Sequence, residues 1–176
     1  CIVAAGSQPV KLPAFPWQDP RVMDSTDALE LKDIPNNLLV VGGGYIGLEA
    51  AAAGIKKQLD VTLVEALPRL LARVTGPELS QYYDGVHRRH GVDIRLGAAV
   101  EALEGEQQVE FVVLRDGTRL PADLVIVGIG LVPNTELAEQ AGLEVDNGVI
   151  VDLHAQTGDP DIVAAGDCTN HDNGFL

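Results

Sequence analysis

Cysteine is nearly absent from this chain of 176 residues, which holds only Cys1 and Cys168, at opposite ends. With no C-x-x-C pair, and with four histidines that form no ligand-spaced cluster, the sequence predicts neither a structural disulfide nor a metal site. That usage fits a reducing cytoplasm. Basic residues are scarce too. Lys and Arg number 12 against 26 Asp and Glu, a net charge of −14. A surface of that sign repels nucleic acid and anionic membranes, so neither is expected as a partner. No apolar run approaches the roughly 18 residues of a membrane span, and no signal peptide is visible. Neither a Ser-Tyr-Lys nor a His-Asp dehydrogenase arrangement is evident, and no side chain is assigned a catalytic role. The chain lacks an initiating Met and opens on Cys1-Ile2-Val3-Ala4-Ala5-Gly6-Ser7 as if a strand were already under way. It stops abruptly at Asn173-Gly174-Phe175-Leu176, so the expectation is a piece of something longer.

What is present is a hydrophobic content of 46%, enough for a full core, and one strongly patterned stretch. Leu38 to Val41 reads as a buried strand. It meets Gly42-Gly43-Gly44-Tyr45-Ile46-Gly47, a G-x-G-x-x-G turn, and an alanine-rich helix follows from Ile46 to Gln58. Gly42 permits the sharp turn, Gly44 keeps side chains away from a pyrophosphate, and Gly47 lets helix and strand pack closely. The helix N-terminus presents free N–H groups and partial positive charge to phosphates. Asp60 to Glu65 is a second buried strand. It ends on an acid, Glu65, placed to accept hydrogen bonds from the ribose hydroxyls of an adenosine. An empty glycine turn in a βαβ unit is the competing reading, but strand, turn, helix, strand and acid together favour dinucleotide binding.

Elsewhere the chain alternates elements. Ile2 to Ala5 reads as a short buried strand. Gln8 to Pro20 carries four prolines and is expected to be irregular, with Trp17 as a packing anchor. Asp24 to Asp27 can cap a short helix through Leu31. Arg69 and Arg73 follow the ribose-binding acid, and either is a phosphate ligand or a solvated surface cation. A helix is expected from Pro77 to about His90, with His87 and His90 near its C-terminus, where an imidazolium is favoured. Val92 to Arg95 completes a β-α-β-α-β pattern. Val100 to Leu103 and Gln108 to Leu114, with the turn Arg115 to Thr118, predict an antiparallel meander. Ala122 to Val127 is a buried strand ending in Gly128-Ile129-Gly130, where backbone can approach a ligand. Asn134 is expected to cap a helix over Thr135 to Ala141, and Asp146-Asn147-Gly148 a tight turn. Gly166-Asp167 ends the last strand, where the carboxylate either binds a polyol hydroxyl or caps the next turn.

Four motifs in order, Ala4-Ala5-Gly6-Ser7, the glycine turn through Glu49, Gly128-Ile129-Gly130 and Asp161 to Asp167, resemble the flavoprotein pyridine nucleotide-disulfide oxidoreductase superfamily. Residues 1 to 49 look like bacterial dihydrolipoamide dehydrogenase. The remainder looks like ferredoxin reductases of the putidaredoxin and rubredoxin reductase type. The resemblance implies an α/β fold: a Rossmann-like parallel sheet with an antiparallel β-meander, an NAD(P)-binding domain inserted in a partial FAD domain. Residues 10–127 would be the NAD(H) domain, and 1–9 and 128–176 the flanking FAD segments.

It also implies roles. Gly42, Gly44 and Gly47 bind the pyrophosphate, and Gly43, Ile46 and Arg73 are counted with them as cofactor-binding residues. Glu65 selects NADH over NADPH. Glu49 lies near the nicotinamide carboxamide, or is a helix-surface acid. Tyr45 gates the flavin, or merely packs its helix. Gly128 and Gly130 face the crevice, and Gly166 and Asp167 bind FAD. The implied activity is NADH oxidation through FAD, with electrons passed to a ferredoxin- or rubredoxin-type iron–sulfur protein. Dihydrolipoamide dehydrogenase-type chemistry on a dithiol is the alternative. A non-catalytic NADH-responsive regulatory module is the reading from another class. The piece alone is expected to be inactive, because the first flavin glycine motif and any C-x-x-x-x-C redox pair would lie upstream.

Overall fold

The computed structural model describes residues 1–13, 15–24, 27 and 35–172. Along the chain lie β1 (Ile2–Val3), β2 (Ser7–Pro9), β3 (Val22–Met23) and β4 (Asn37–Val41). Helix α1 (Tyr45–Lys56), β5 (Asp60–Glu65), α2 (Pro77–Arg89) and β6 (Asp93–Leu96) follow. Then come β7 (Val100–Glu104), β8 (Phe111–Leu114), β9 (Arg119–Pro121) and β10 (Leu124–Val127). The last elements are β11 (Leu131–Pro133), α3 (Glu136–Gln140), β12 (Val149–Ile150), β13 (Val163–Ala164) and β14 (Thr169–Asn170). They form two units, Lys11–Gly130 and the pair Cys1–Val10 with Leu131–Leu176. The expected NAD domain ran from 10 to 127, so Gly128, Ile129 and Gly130 fall within the first unit rather than outside it.

The unit Lys11–Gly130 is built on a parallel sheet in the order β3-β10-β4-β5-β6. Its strands are apolar at consecutive positions because both faces are covered. Leu38, Val40, Val61, Leu63, Leu124 and Ile126 point to the side where Leu48 and Ala51 of α1 pack. Their neighbours Leu39, Val41, Val64, Val125 and Val127 point to the opposite side. There they meet Val112, Leu114 and Leu120 of the meander β7-β8-β9. The meander therefore covers a face of the sheet instead of extending its edge. Helix α1 approaches closely because Gly54 has no side chain. A Cβ there would lie 2.7 Å from Leu38 Cδ2 and 2.8 Å from Val61 Cγ2.

In the second unit β1 pairs parallel with β13, β2 antiparallel with β11, and β12 parallel with β14. Its small core gathers Ala138, Val149, Val151 and Ala164. Cys168 is fully buried as a small core residue, and Cys1 is exposed.

Several local expectations give way. Strand β1 is two residues long, and Ile2 is 75% exposed rather than buried. Within the proline-rich stretch, Ser7–Pro9 is a strand. It has a single partner, so Pro9 sits on an edge where its missing N–H costs little. Asn134 does not cap α3. Its side-chain amide donates to Ala5 O at 2.9 Å, and Thr135 occupies the cap position. The imidazolium form of His87 is disfavoured, not favoured. Desolvation by burial and the neighbouring His90 lower its pKa, outweighing Asp84. The helix expected over Asp24 to Leu31 lies mostly outside the described residues.

Candidate functional site

The carboxyl ends of β4, β5 and β10 open into a crevice of about 500 Å³ within the unit Lys11–Gly130. This is where ligands sit in open α/β sheets. Its floor is the turn between β4 and α1. Gly42 has φ +110°, and a Cβ there would collide with the carbonyl of Gly128. Gly128 N donates to Val41 O at 2.8 Å, which ties the end of β10 to the end of β4. A Cβ on Gly47 would in turn strike the carbonyl of Gly42. These two glycines hold the turn against its neighbours.

Gly44 is different. It is the N-cap of α1 at φ −81°, an ordinary conformation, and a Cβ built on it meets nothing within 4 Å. No acid occupies the first turn of α1. The helix thus offers unpaired N–H donors and the positive end of its dipole to the crevice. A phosphate-sized anion fits that cradle.

Glu65, the last residue of β5, lies beside this turn. Its Oε2 accepts from Gly43 N at 2.6 Å and its Oε1 from Leu67 N at 2.7 Å. A Cβ on Gly43 would come within 3.1 Å of that Oε2 and 2.7 Å of Leu70 Cδ2. A carboxylate has roughly four lone-pair sites. Two are used on backbone, which fixes the group and leaves acceptor capacity for two hydroxyls.

The two arginines after Glu65 part company. Arg69 serves the protein: it donates to Thr75 O and Ser80 Oγ at 2.7 Å each, and to Ala72 O at 2.8 Å. Arg73 is exposed and lines the crevice. Tyr45, 58% exposed, also lines it, with Gly128 and Gly130. Ile46 does not line it but sits against Gly128. Glu49 is exposed on α1, outside the crevice lining. Gly166 and Asp167 belong to the other unit, where Ser7 Oγ donates to Asp167 Oδ2 at 3.1 Å.

Two features carried no sequence signal. Leu71 adopts φ +52°, unusual for a bulky residue, and its N–H donates to Gly43 O at 2.9 Å. It braces the glycine turn from the loop after β5. Arg115, read from sequence only as part of a turn, lines the crevice.

The family model for pyridine nucleotide-disulphide oxidoreductases matches residues 1–175. The chain belongs to this family. Putidaredoxin reductase from Pseudomonas putida is 47% identical over 179 residues, covering 95% of this chain and 42% of that protein. Dihydrolipoyl dehydrogenase from Vibrio cholerae is 42% identical over 175 residues, covering 94% of the chain and 36% of that protein. The chain spans less than half the length of either relative. The covalent putidaredoxin reductase–putidaredoxin complex contains a chain that superposes at TM-score 0.90 and 44% identity, over 97% of this chain and 44% of that one. As a member of this pyridine nucleotide-disulphide oxidoreductase family, the chain is similar to relatives of both kinds along nearly its whole length. Among the described residues no helix is long and apolar enough to cross a membrane.

Proposed function

We propose that residues 11–130 bind NADH and that the whole protein is a cytoplasmic FAD-dependent reductase serving a small ferredoxin- or rubredoxin-type iron–sulfur protein. The carrying observation is the Glu65 carboxylate, fixed on Gly43 N–H and Leu67 N–H at the rim of an open glycine cradle. The names of several relatives, among them putidaredoxin reductase and rubredoxin-NAD(+) reductase from Pseudomonas putida, support the choice of acceptor.

In this reading bound NADH supplies a hydride that FAD accepts. The chain's own task is to place the dinucleotide. The N–H groups at the start of α1, from Gly44 to Gly47, hold the pyrophosphate on the turn that Gly42 and Gly43 form, with Arg73 as a cation at the mouth. Glu65 accepts the ribose hydroxyls and repels a 2′-phosphate, so NADH is preferred to NADPH. Tyr45, exposed at the opening, swings aside for nicotinamide, and Glu49 serves the carboxamide. Gly128 and Gly130 allow close approach of backbone. Gly166 and Asp167 hold part of FAD.

A dihydrolipoyl dehydrogenase-type enzyme acting on a dithiol is the second reading, and the 42% identity to the Vibrio cholerae protein favours it. A regulatory module that binds NADH without turnover is the third, and flavin content of the whole protein separates it from the other two. The test is calorimetric titration of the folded chain with NADH and NADPH. Tighter NADH binding upholds the site; equal affinity removes the role given to Glu65. Reduction of a ferredoxin rather than lipoamide by the whole protein decides between the two enzymes.

A further inference from the structure

The crevice does not end at Glu65. Backbone hydrogen bonds extend it sideways across the carboxyl ends of three strands and onto the meander. Gly43 N is bonded to the Glu65 carboxylate. Glu65 O accepts from Ala98 N at 3.0 Å, just past the end of β6. The next residue, Ala99, accepts from Arg115 N at 3.0 Å, at the turn after β8. Ala98, Ala99 and Arg115 all line the same cavity. Adjacent strands lie about 4.8 Å apart, so β4 to β6 is a step of roughly 10 Å. That is the order of distance from a pyrophosphate to the base of the same adenylate. A ligand with its phosphates on Gly44 and its ribose on Glu65 therefore reaches toward Ala98, Ala99 and Arg115 with its base.

Resting on the nucleotide-binding reading above, we propose that Arg115 is a further binding residue that stacks its guanidinium on the adenine of the dinucleotide. Two small residues, Ala98 and Ala99, line the crevice with it, so no bulky side chain at these two positions competes with a flat ring. The guanidinium is exposed and, among the described residues, makes no hydrogen bond or ion pair with protein. Its place is set by backbone instead. Besides the bond to Ala99, Gly117 N donates to Leu114 O and Thr118 N to Asp116 Oδ1, each at 2.9 Å. The side chain can therefore be changed without disturbing the turn. A planar, weakly hydrated cation suits the face of a purine, where an ammonium does not match the shape.

The test is titration of the 176-residue chain, wild type, R115A and R115K, with NADH and with ADP-ribose, which shares the adenylate end and lacks nicotinamide. R115A is expected to weaken both ligands by the same factor, about fivefold, at an unchanged unfolding midpoint. R115K is expected to recover only part of the loss. Equal affinity in wild type and R115A overturns the assignment of Arg115 alone. Full recovery in R115K overturns stacking in favour of a simple point charge. If the folded wild-type chain binds neither ligand, the nucleotide reading of the crevice fails, and this assignment with it.

Discussion

Gly44 and Gly42 are two residues apart and carry opposite burdens. At Gly44 the backbone is ordinary and a side chain would project into open space. Gly44→Val should therefore fold normally and lose dinucleotide binding, which circular dichroism and calorimetry on one sample can check. At Gly42 the positive φ and the Gly128 carbonyl make glycine a requirement of the fold itself. Glu65→Arg should shift the ratio of NADH to NADPH affinity by about tenfold or more toward NADPH, since a repelling carboxylate becomes an attracting cation. An unchanged ratio would refute the ribose assignment. The sharp turn at Gly42 and the close packing at Gly47 were legible in the sequence because the glycine spacing matches a known local geometry. The division between Arg69 and Arg73 was not. Both follow the same acid, and only the folded loop shows that Thr75 O, Ala72 O and Ser80 Oγ converge on one guanidinium.

Among elements, the loop from Pro68 to Gly76 is held by that guanidinium. Arg69→Ala should cost about 2 kcal/mol in chemical denaturation, the scale of hydrogen bonds from a charged group to part-buried acceptors. Helix α2 carries a pH dependence of the reverse sign from the one its C-terminus suggested. His87 has a folded pKa below its ordinary value of 6.5. The unfolded chain therefore takes up the proton first, and stability falls as pH drops from about 6.5 through the folded pKa. His87→Gln should flatten the decline of Tm between pH 7 and 5. The local rule failed because it weighs the end of a helix and ignores desolvation, which depends on what packs against it. The same gap explains the meander. The pattern of Val100 to Leu103 and Gln108 to Leu114 announced strands, but nothing in it said which part of the parallel sheet they would cover.

At the scale of the whole chain, both large core clusters lie within residues 11–130, one on each face of the parallel sheet. That segment is continuous in sequence, so a protein cut to 11–130 should fold cooperatively and bind NADH with the affinity of the full chain. A molten or non-binding product would mean that the flanking unit supports the crevice. The flanking unit has no such independence, because its two segments complete one another: β1 needs β13, and β2 needs β11. The hydrogen bond from Asn134 to Ala5 closes a span of 129 residues. At a synthesis rate of roughly 5–20 residues per second, the first strands wait on the order of ten seconds at the ribosome before their partners are made. Residues 1–10 are thus the earliest part of this sequence to be translated and among the last to find their place.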